Sequence, residues 1–329
     1  MKVLIFGGAG YLGGQLTPRL LAAGHAVTVF DSLLFGAEAL APHLSNGRFR
    51  LIEGDLRDIS AVGAAVRGQD AAVLLAALVG EPACDKDPAE TVAVNYLGAM
   101  NAIKAAVYYR LRRFIFASTD SCYGAQEQVN LTETSPLKPI SLYARLKARV
   151  EEEFLSLPRP AGFHPTVLRL ATLYGLAPRM RFDLILNLLA RDAALGRGVR
   201  IFSGEQWRPF VHVRDAAAAF LLVLSADPEK VSGQVFNVGA DPQNIQFKEL
   251  AGLLRQVMPE AAIETVPQPP DLRDYHVSFD KIRDVLRFAP EFEPLDGLRE
   301  IKAAILSGLF GDPFSGPFSG PYDAKYRNS

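Results

Sequence analysis

Tyr143 and Lys147 stand four residues apart in Tyr143-Ala144-Arg145-Leu146-Lys147, a spacing that puts both side chains on one face of a helix. An ammonium beside a phenol stabilises phenolate and draws its pKa toward neutrality, which makes Tyr143 a candidate general base. The same spacing also describes an ordinary solvated helix face. A second group adds to the chemistry: Ser118-Thr119-Asp120-Ser121-Cys122-Tyr123-Gly124 follows the apolar run Phe114 to Ala117. Hydroxyls at the carboxyl end of such a strand face the crevice where open α/β sheets bind ligands. Thr119 could there hydrogen-bond a substrate hydroxyl, while Ser121 reads equally well as part of a polar turn.

A third group lies at the start of the chain, where Gly7-Gly8-Ala9-Gly10-Tyr11-Leu12-Gly13 separates the apolar run Lys2 to Phe6 from a helical stretch, Gln15 to Ala23. Strand, glycines and helix in that order form a dinucleotide fingerprint. The turn is tight, a pyrophosphate must approach bare backbone, and the helix N-terminus offers N–H groups and partial positive charge. Asp31 closes the next apolar run, Ala26 to Phe30, about 20 residues on, where a carboxylate accepts from an adenosine ribose and repels a 2′-phosphate. NAD rather than NADP is the expected cofactor. Asp31 also suits a cap of the following segment.

The elements that must position these groups follow from the apolar pattern. Further runs at Phe49 to Glu53, Ala71 to Leu75, Phe114 to Ala117, Thr166 to Leu170 and Gln234 to Val238 alternate with helical stretches, which predicts an α/β chain with a doubly wound parallel (Rossmann) sheet. From about Leu173 the pattern loosens into Arg-rich and Pro-containing loops, as expected of a smaller α/β substrate lobe interleaved with the sheet. The expected division is 1–172 with a segment returning near 208–240, a smaller lobe over 173–309, and a Gly/Pro/aromatic tail over 310–329. Arg179 and Arg181 read as solvated surface charges, and His212, among apolar neighbours, as a core histidine.

Composition excludes several classes. With 329 residues, 49% hydrophobic and 22% charged, the chain matches globular averages. A net charge of -1 leaves no cationic excess for a nucleic-acid backbone. The longest apolar stretches are too short to cross a bilayer, and the N-terminus lacks a signal peptide's apolar core, so a cytoplasmic protein is expected. Cys84 and Cys122 have no His at metal-ligand spacing, and buried thiols, not a metal site, are expected.

Taken together, the glycines, Asp31, the Asp55-Leu56 pair, the Leu75-Ala76-Ala77 turn, Asn95 with Gly98, the Ser118 to Gly124 motif and Tyr143 with Lys147 resemble the extended short-chain dehydrogenase/reductase family. The likeness is to its NAD-dependent sugar epimerase and dehydratase branch. The resemblance implies that Gly7, Gly10 and Gly13 hold the cofactor pyrophosphate, that Tyr11 and Leu12 also bind the cofactor, and that Asp31 holds its ribose and Asp55 with Leu56 the adenine. It places Ala76 and Ala77 beside the cofactor and Lys147 on the nicotinamide ribose. Tyr143 is then the base, Thr119 its hydroxyl partner, and Asn95 a supporting residue. Arg208, leading Arg208-Pro209-Phe210-Val211-His212, and Arg273 would hold the substrate's diphosphate. Ser121 and Asn187 would also contact the nucleotide sugar, and a homodimer is implied.

Members of that branch begin by oxidising a sugar carbon. Return of hydride to the other face of the keto-sugar gives an epimer, the leading expectation here, at C4 of a UDP-hexose or similar. Dehydratases carry an additional base, typically Glu, where this chain has Ser121, yet Asp120 matches the acid of one dehydratase class. A dehydratase or other keto-sugar-forming oxidoreductase is therefore the second reading. A non-catalytic NAD-sensing regulator is the third, disfavoured because Tyr143 and Lys147 are both present.

Overall fold

The computed structural model describes residues 1–126, 130–267 and 274–314. Its strands in chain order are β1 (Lys2–Phe6), β2 (Ala26–Asp31), β3 (Phe49–Glu53), β4 (Ala71–Leu74), β5 (Arg113–Thr119), β6 (His164–Leu170), β7 (Thr172–Tyr174), β8 (Val199–Ser203), β9 (Trp207–His212), β10 (Gln234–Val238), β11 (Asn244–Gln246) and β12 (Ile263–Pro267). Seven of them form one sheet in the order β10-β6-β5-β4-β1-β2-β3. Every neighbouring pair in it is parallel.

A parallel sheet needs crossover helices, which cover both faces and make the strands apolar throughout. Strand β1 shows the consequence: Val3 and Ile5 join the core on one face with Leu16 and Leu20 of the helix Gly13–Ala22 and with Ala216 and Phe220 of Val213–Ser225. Leu4 and Phe6 point the other way. They pack with Val62, Ile103 and Phe154 from the helices Ile59–Val66, Ala99–Tyr108 and Leu142–Ser156. The strand order reverses between β1 and β4, so the crevice beyond their carboxyl ends is the fold's natural ligand position.

The later chain builds two small sheets. Strand β9 pairs parallel with β7 and antiparallel with β11, and β12 pairs parallel with β8. The tail is strapped down as far as it is described: Phe310 meets Phe182 edge-on at 5.5 Å, and Arg197 and Arg191 lie 3.8 and 4.3 Å from the Phe314 ring. Among the described residues no helix is long and apolar enough to cross a membrane.

Candidate active site

The glycine loop sits at the β1/β4 reversal. Gly7 has φ +85°, and a Cβ there would lie 2.6 Å from the Ala76 amide nitrogen, so only a bare residue lets the ends of β1 and β4 approach this closely. At Gly13 a Cβ would fall 2.5 Å from the Gly8 Cα, which sets how tightly helix packs on strand. Among the described residues the N–H groups of Tyr11 and Leu12, at the helix start, have no acceptor within the protein. The Asp31 carboxylate accepts from Ala9 N and Leu33 N, both at 2.9 Å. Burial raises its pKa and the two N–H groups pull it back. Asp31 thus closes an Asx turn and simultaneously faces the glycine loop.

The neighbouring residues are set by their own contacts. Asp55 is gripped by the Arg57 guanidinium at 2.5 Å, which lowers its pKa. Leu56 is buried, and a Cβ at Gly98 would meet its Cβ at 2.7 Å. Asn95 spends its amide on Leu78, accepting from the backbone N at 2.7 Å and donating to the carbonyl at 2.8 Å. It thereby fixes the segment after Ala76 and Ala77.

Tyr143 and Lys147 share the helix Leu142–Ser156, capped by the Ser141 hydroxyl. Lys147 is buried and donates to the Ala117 carbonyl at 2.8 Å. Its ammonium lies 4.7 Å from the Phe116 ring centre and 5.7 Å from that of Tyr143. Burial draws its pKa down to about 8. In the protein alone, burial pushes the Tyr143 phenol well above its usual value, and the cation that offsets this is Arg181.

Strand β5 delivers Thr119 to the same place. Its hydroxyl accepts from Ser121 N at 3.2 Å, and its own O–H, a donor, acts on the neighbouring Asp120 carboxyl. Asp120 is 2% exposed, and its Oδ2 has no hydrogen-bond partner. Burial raises its pKa to about 8, with Arg208 as the main counterweight, so this carboxyl is largely protonated at neutral pH. Arg208 is held between Tyr275 and Phe247, 5.0 and 5.3 Å from their ring centres. The Ser121 hydroxyl lies 3.3 Å from that of Tyr275.

Two arginines read as surface charges are not. Arg181 forms a buried ion pair with Asp183 at 2.5 Å, their side chains 15% and 9% exposed, and Arg179 is 9% exposed. The apolar fold around the β7 loop encloses both, which their local sequence does not signal. Asn187 differs too: it is fully buried, accepts from Gly175 N at 2.9 Å and donates to the Tyr11 hydroxyl at 3.1 Å and the Arg181 carbonyl at 2.9 Å. Its polar atoms stitch the β7 loop to the glycine loop rather than face an open groove. Arg273 lies outside the described residues.

Behind Thr119 runs a buried network that sequence reasoning missed. Glu151 takes a hydrogen bond from the Ser118 hydroxyl and an ion pair from Arg169 at 2.7 Å, and Arg169 reaches the Tyr123 hydroxyl at 3.0 Å. Apolar spacing on the helix would have placed Glu151 inward, four residues beyond Lys147. His212 is fully buried against Phe292 and Glu300, and Cys84 and Cys122 are free buried thiols. No group of three or more His, Cys, Asp or Glu among the described residues could hold a metal ion.

The model of the NAD dependent epimerase/dehydratase family matches residues 3–239. The chain belongs to that family. Family relatives of both reaction types resemble it over most of its length. A dTDP-glucose 4,6-dehydratase of Streptomyces niveus is 30% identical over 313 residues, 91% of each chain. A UDP-glucose 4-epimerase of Corynebacterium glutamicum is 28% identical over 326 residues, 94% of this chain and 97% of the relative. A dTDP-glucose 4,6-dehydratase of Streptomyces venezuelae, solved with NAD bound, superposes with a TM-score of 0.84 at 26% identity, covering 96% of this chain and all of the other.

Proposed function

We propose that this protein is an NAD-dependent nucleotide-sugar epimerase, acting at C4 of a UDP-hexose or similar sugar through a transient keto-sugar. The observation that carries the reading is the set Tyr143, Lys147 and Thr119 at the carboxyl end of β5 with Ser121, not a carboxylate, at the position where water elimination needs a second base. Residues 1–172, with the segment near 208–240, would hold the dinucleotide and 173–309 the nucleotide sugar.

The chain fits a dinucleotide at the glycine loop. The unpartnered N–H groups of Tyr11 and Leu12 face pyrophosphate, and Asp31, steadied by two backbone donors, receives ribose hydroxyls. Bound NAD supplies the hydride acceptor and donor. Tyr143 takes the proton from the sugar hydroxyl as its carbon is oxidised and returns it after the keto-sugar has turned over. Burial opposes the phenolate, so Arg181 is the protein charge that favours it, while Lys147, anchored on Ala117, orients the ribose beside it. Thr119 donates to the same sugar oxygen, and Arg208, backed by Tyr275 and Phe247, binds the diphosphate through paired N–H donors.

A dehydratase is the second reading, favoured by one observation: the buried carboxyl of Asp120 is protonated near neutrality and its Oδ2 is unpartnered, as an acid for water loss requires. UDP-glucose deuterated at C4 separates the two. An epimerase returns the label to C4 of the inverted product. Label moved to another carbon with loss of water would replace epimerisation by dehydration.

A further inference from the structure

Arg179, in the loop between β7 and the helix Ile185–Ala194, is 9% exposed, and among the described residues it has no hydrogen bond or ion pair. Its Nε is fully enclosed without an acceptor. A guanidinium carries five donors and a charge that cannot be shed, and burying it without a partner is strongly unfavourable. Burial, and then the neighbouring Arg181, pull its pKa down to about 10. Its companions are provided for: Arg181 has Asp183 and Arg208 has the Trp207 carbonyl. Arg179 is shaped for an anion that comes from outside the chain.

Its surroundings say which anion. The guanidinium lies 3.9 Å from the Phe35 ring centre, in the loop that follows Asp31, and Asp31 is among the acidic groups that act on it. Pro178, one residue earlier, rests on the first turn of the helix Gly13–Ala22, where a Cβ at Gly14 would meet its Cδ at 3.5 Å. The β7 loop therefore crosses from the helix start to the end of β2, the stretch along which a dinucleotide lies in this fold. A pyrophosphate brings two formal negative charges, and a helix N-terminus offsets only about half a unit of charge. Asp31, fixed by Ala9 N and Leu33 N, leaves the ribose edge unsuited to a third phosphate.

We propose that Arg179 is a cofactor clamp: delivered by the β7 loop, it donates to the pyrophosphate oxygens of the dinucleotide that the glycine loop holds. This deepens the cofactor reading given above and rests on it. The same loop carries Arg181, which acts on Tyr143, and is stitched to Tyr11 through Asn187. Cofactor retention and substrate chemistry thus share one element, which suits a reaction in which the oxidised and reduced cofactor must both stay bound.

The test is titration of the full chain, wild type, Arg179→Gln and Arg179→Lys, with NAD⁺, ADP and adenosine, beside the melting temperature of each protein without ligand. Arg179→Gln is expected to weaken NAD⁺ and ADP about ten- to a hundredfold, the loss of charge-assisted hydrogen bonds, and to leave adenosine unchanged. Arg179→Lys should recover part of that loss. The ligand-free melting temperature of Arg179→Gln should hold or rise, because an uncompensated charge has been removed. Unchanged NAD⁺ affinity, or equal losses for ADP and adenosine, would overturn the clamp. So would a wild type that binds NADP as tightly as NAD⁺ and loses only NADP in Arg179→Gln, since that places the guanidinium on a 2′-phosphate. Wild-type protein that binds no dinucleotide would instead remove the cofactor reading beneath it.

Discussion

Lys147 is tied to the Ala117 carbonyl, and burial raises the Tyr143 phenol while Arg181 opposes that rise, so the phenolate depends on charges beyond the Tyr143–Lys147 pair. Tyr143→Phe is expected to bind NAD as the wild type does while turnover falls by about two to four orders of magnitude, the usual contribution of a general base. Measured turnover within a few-fold of wild type would remove Tyr143 from the chemistry. Asp120 gives a prediction with a definite sign. Its folded pKa is raised from the ordinary 3.8 to about 8, so the folded chain keeps a proton that the unfolded chain has released. The stability this carboxyl provides is full below about pH 4 and is lost as pH rises toward about 8. The melting temperature of Asp120→Asn should therefore gain on the wild type across that window, and a gap independent of pH would contradict the buried, protonated carboxyl. Tyr143, Lys147 and Thr119 were legible in the sequence because their spacing is local to one helix and one strand end. Arg179 and Arg181 were not, since what buries them is a loop closing over elements more than a hundred residues away.

At the scale of elements, the central strands of the main sheet were legible because β1 and β4 are buried on both faces and so read as apolar runs, whereas the edge strand β3 is only half-buried and shows a short, mixed run. Their ends shifted only slightly: the run expected at Phe114 to Ala117 extends as β5 over Arg113–Thr119, which carries Thr119 itself on the strand. The small sheets were less legible, because β7 and β11 are three residues each, too short for a period to show. The Glu151–Arg169 pair joins the helix Leu142–Ser156 to β6 and sits directly behind the Ser118–Thr119 strand end. Leaving one member of a buried pair alone costs about 3–5 kcal/mol, whereas replacing both with apolar groups costs far less. Glu151→Ala is expected to lose that much stability in urea denaturation, and Glu151→Leu with Arg169→Met to recover most of it. Equal losses in the single and double variants would mean that the pair acts only through packing volume.

For the whole molecule, the even charge balance leaves no cationic excess for a nucleic-acid backbone. We propose a homodimer through the helices that bear Asn95 and Tyr143; beside Asn95, Leu97 is 54% exposed, and Tyr108 on the following helix 78%. A dimer mass in gel filtration at micromolar concentration is expected, reduced to monomer in Tyr108→Glu, and a wild type that runs only as monomer would exclude it. The substrate itself was not legible, because a few groove side chains choose base and sugar without any pattern along the chain. The most direct test of the central claim is incubation of the purified protein with a panel of UDP-, GDP-, CDP- and dTDP-sugars, each followed by NMR and mass. A product of unchanged mass with one inverted carbon, from a UDP-hexose, is expected; a product lighter by one water would contradict epimerisation and make Asp120 the acid of a dehydratase.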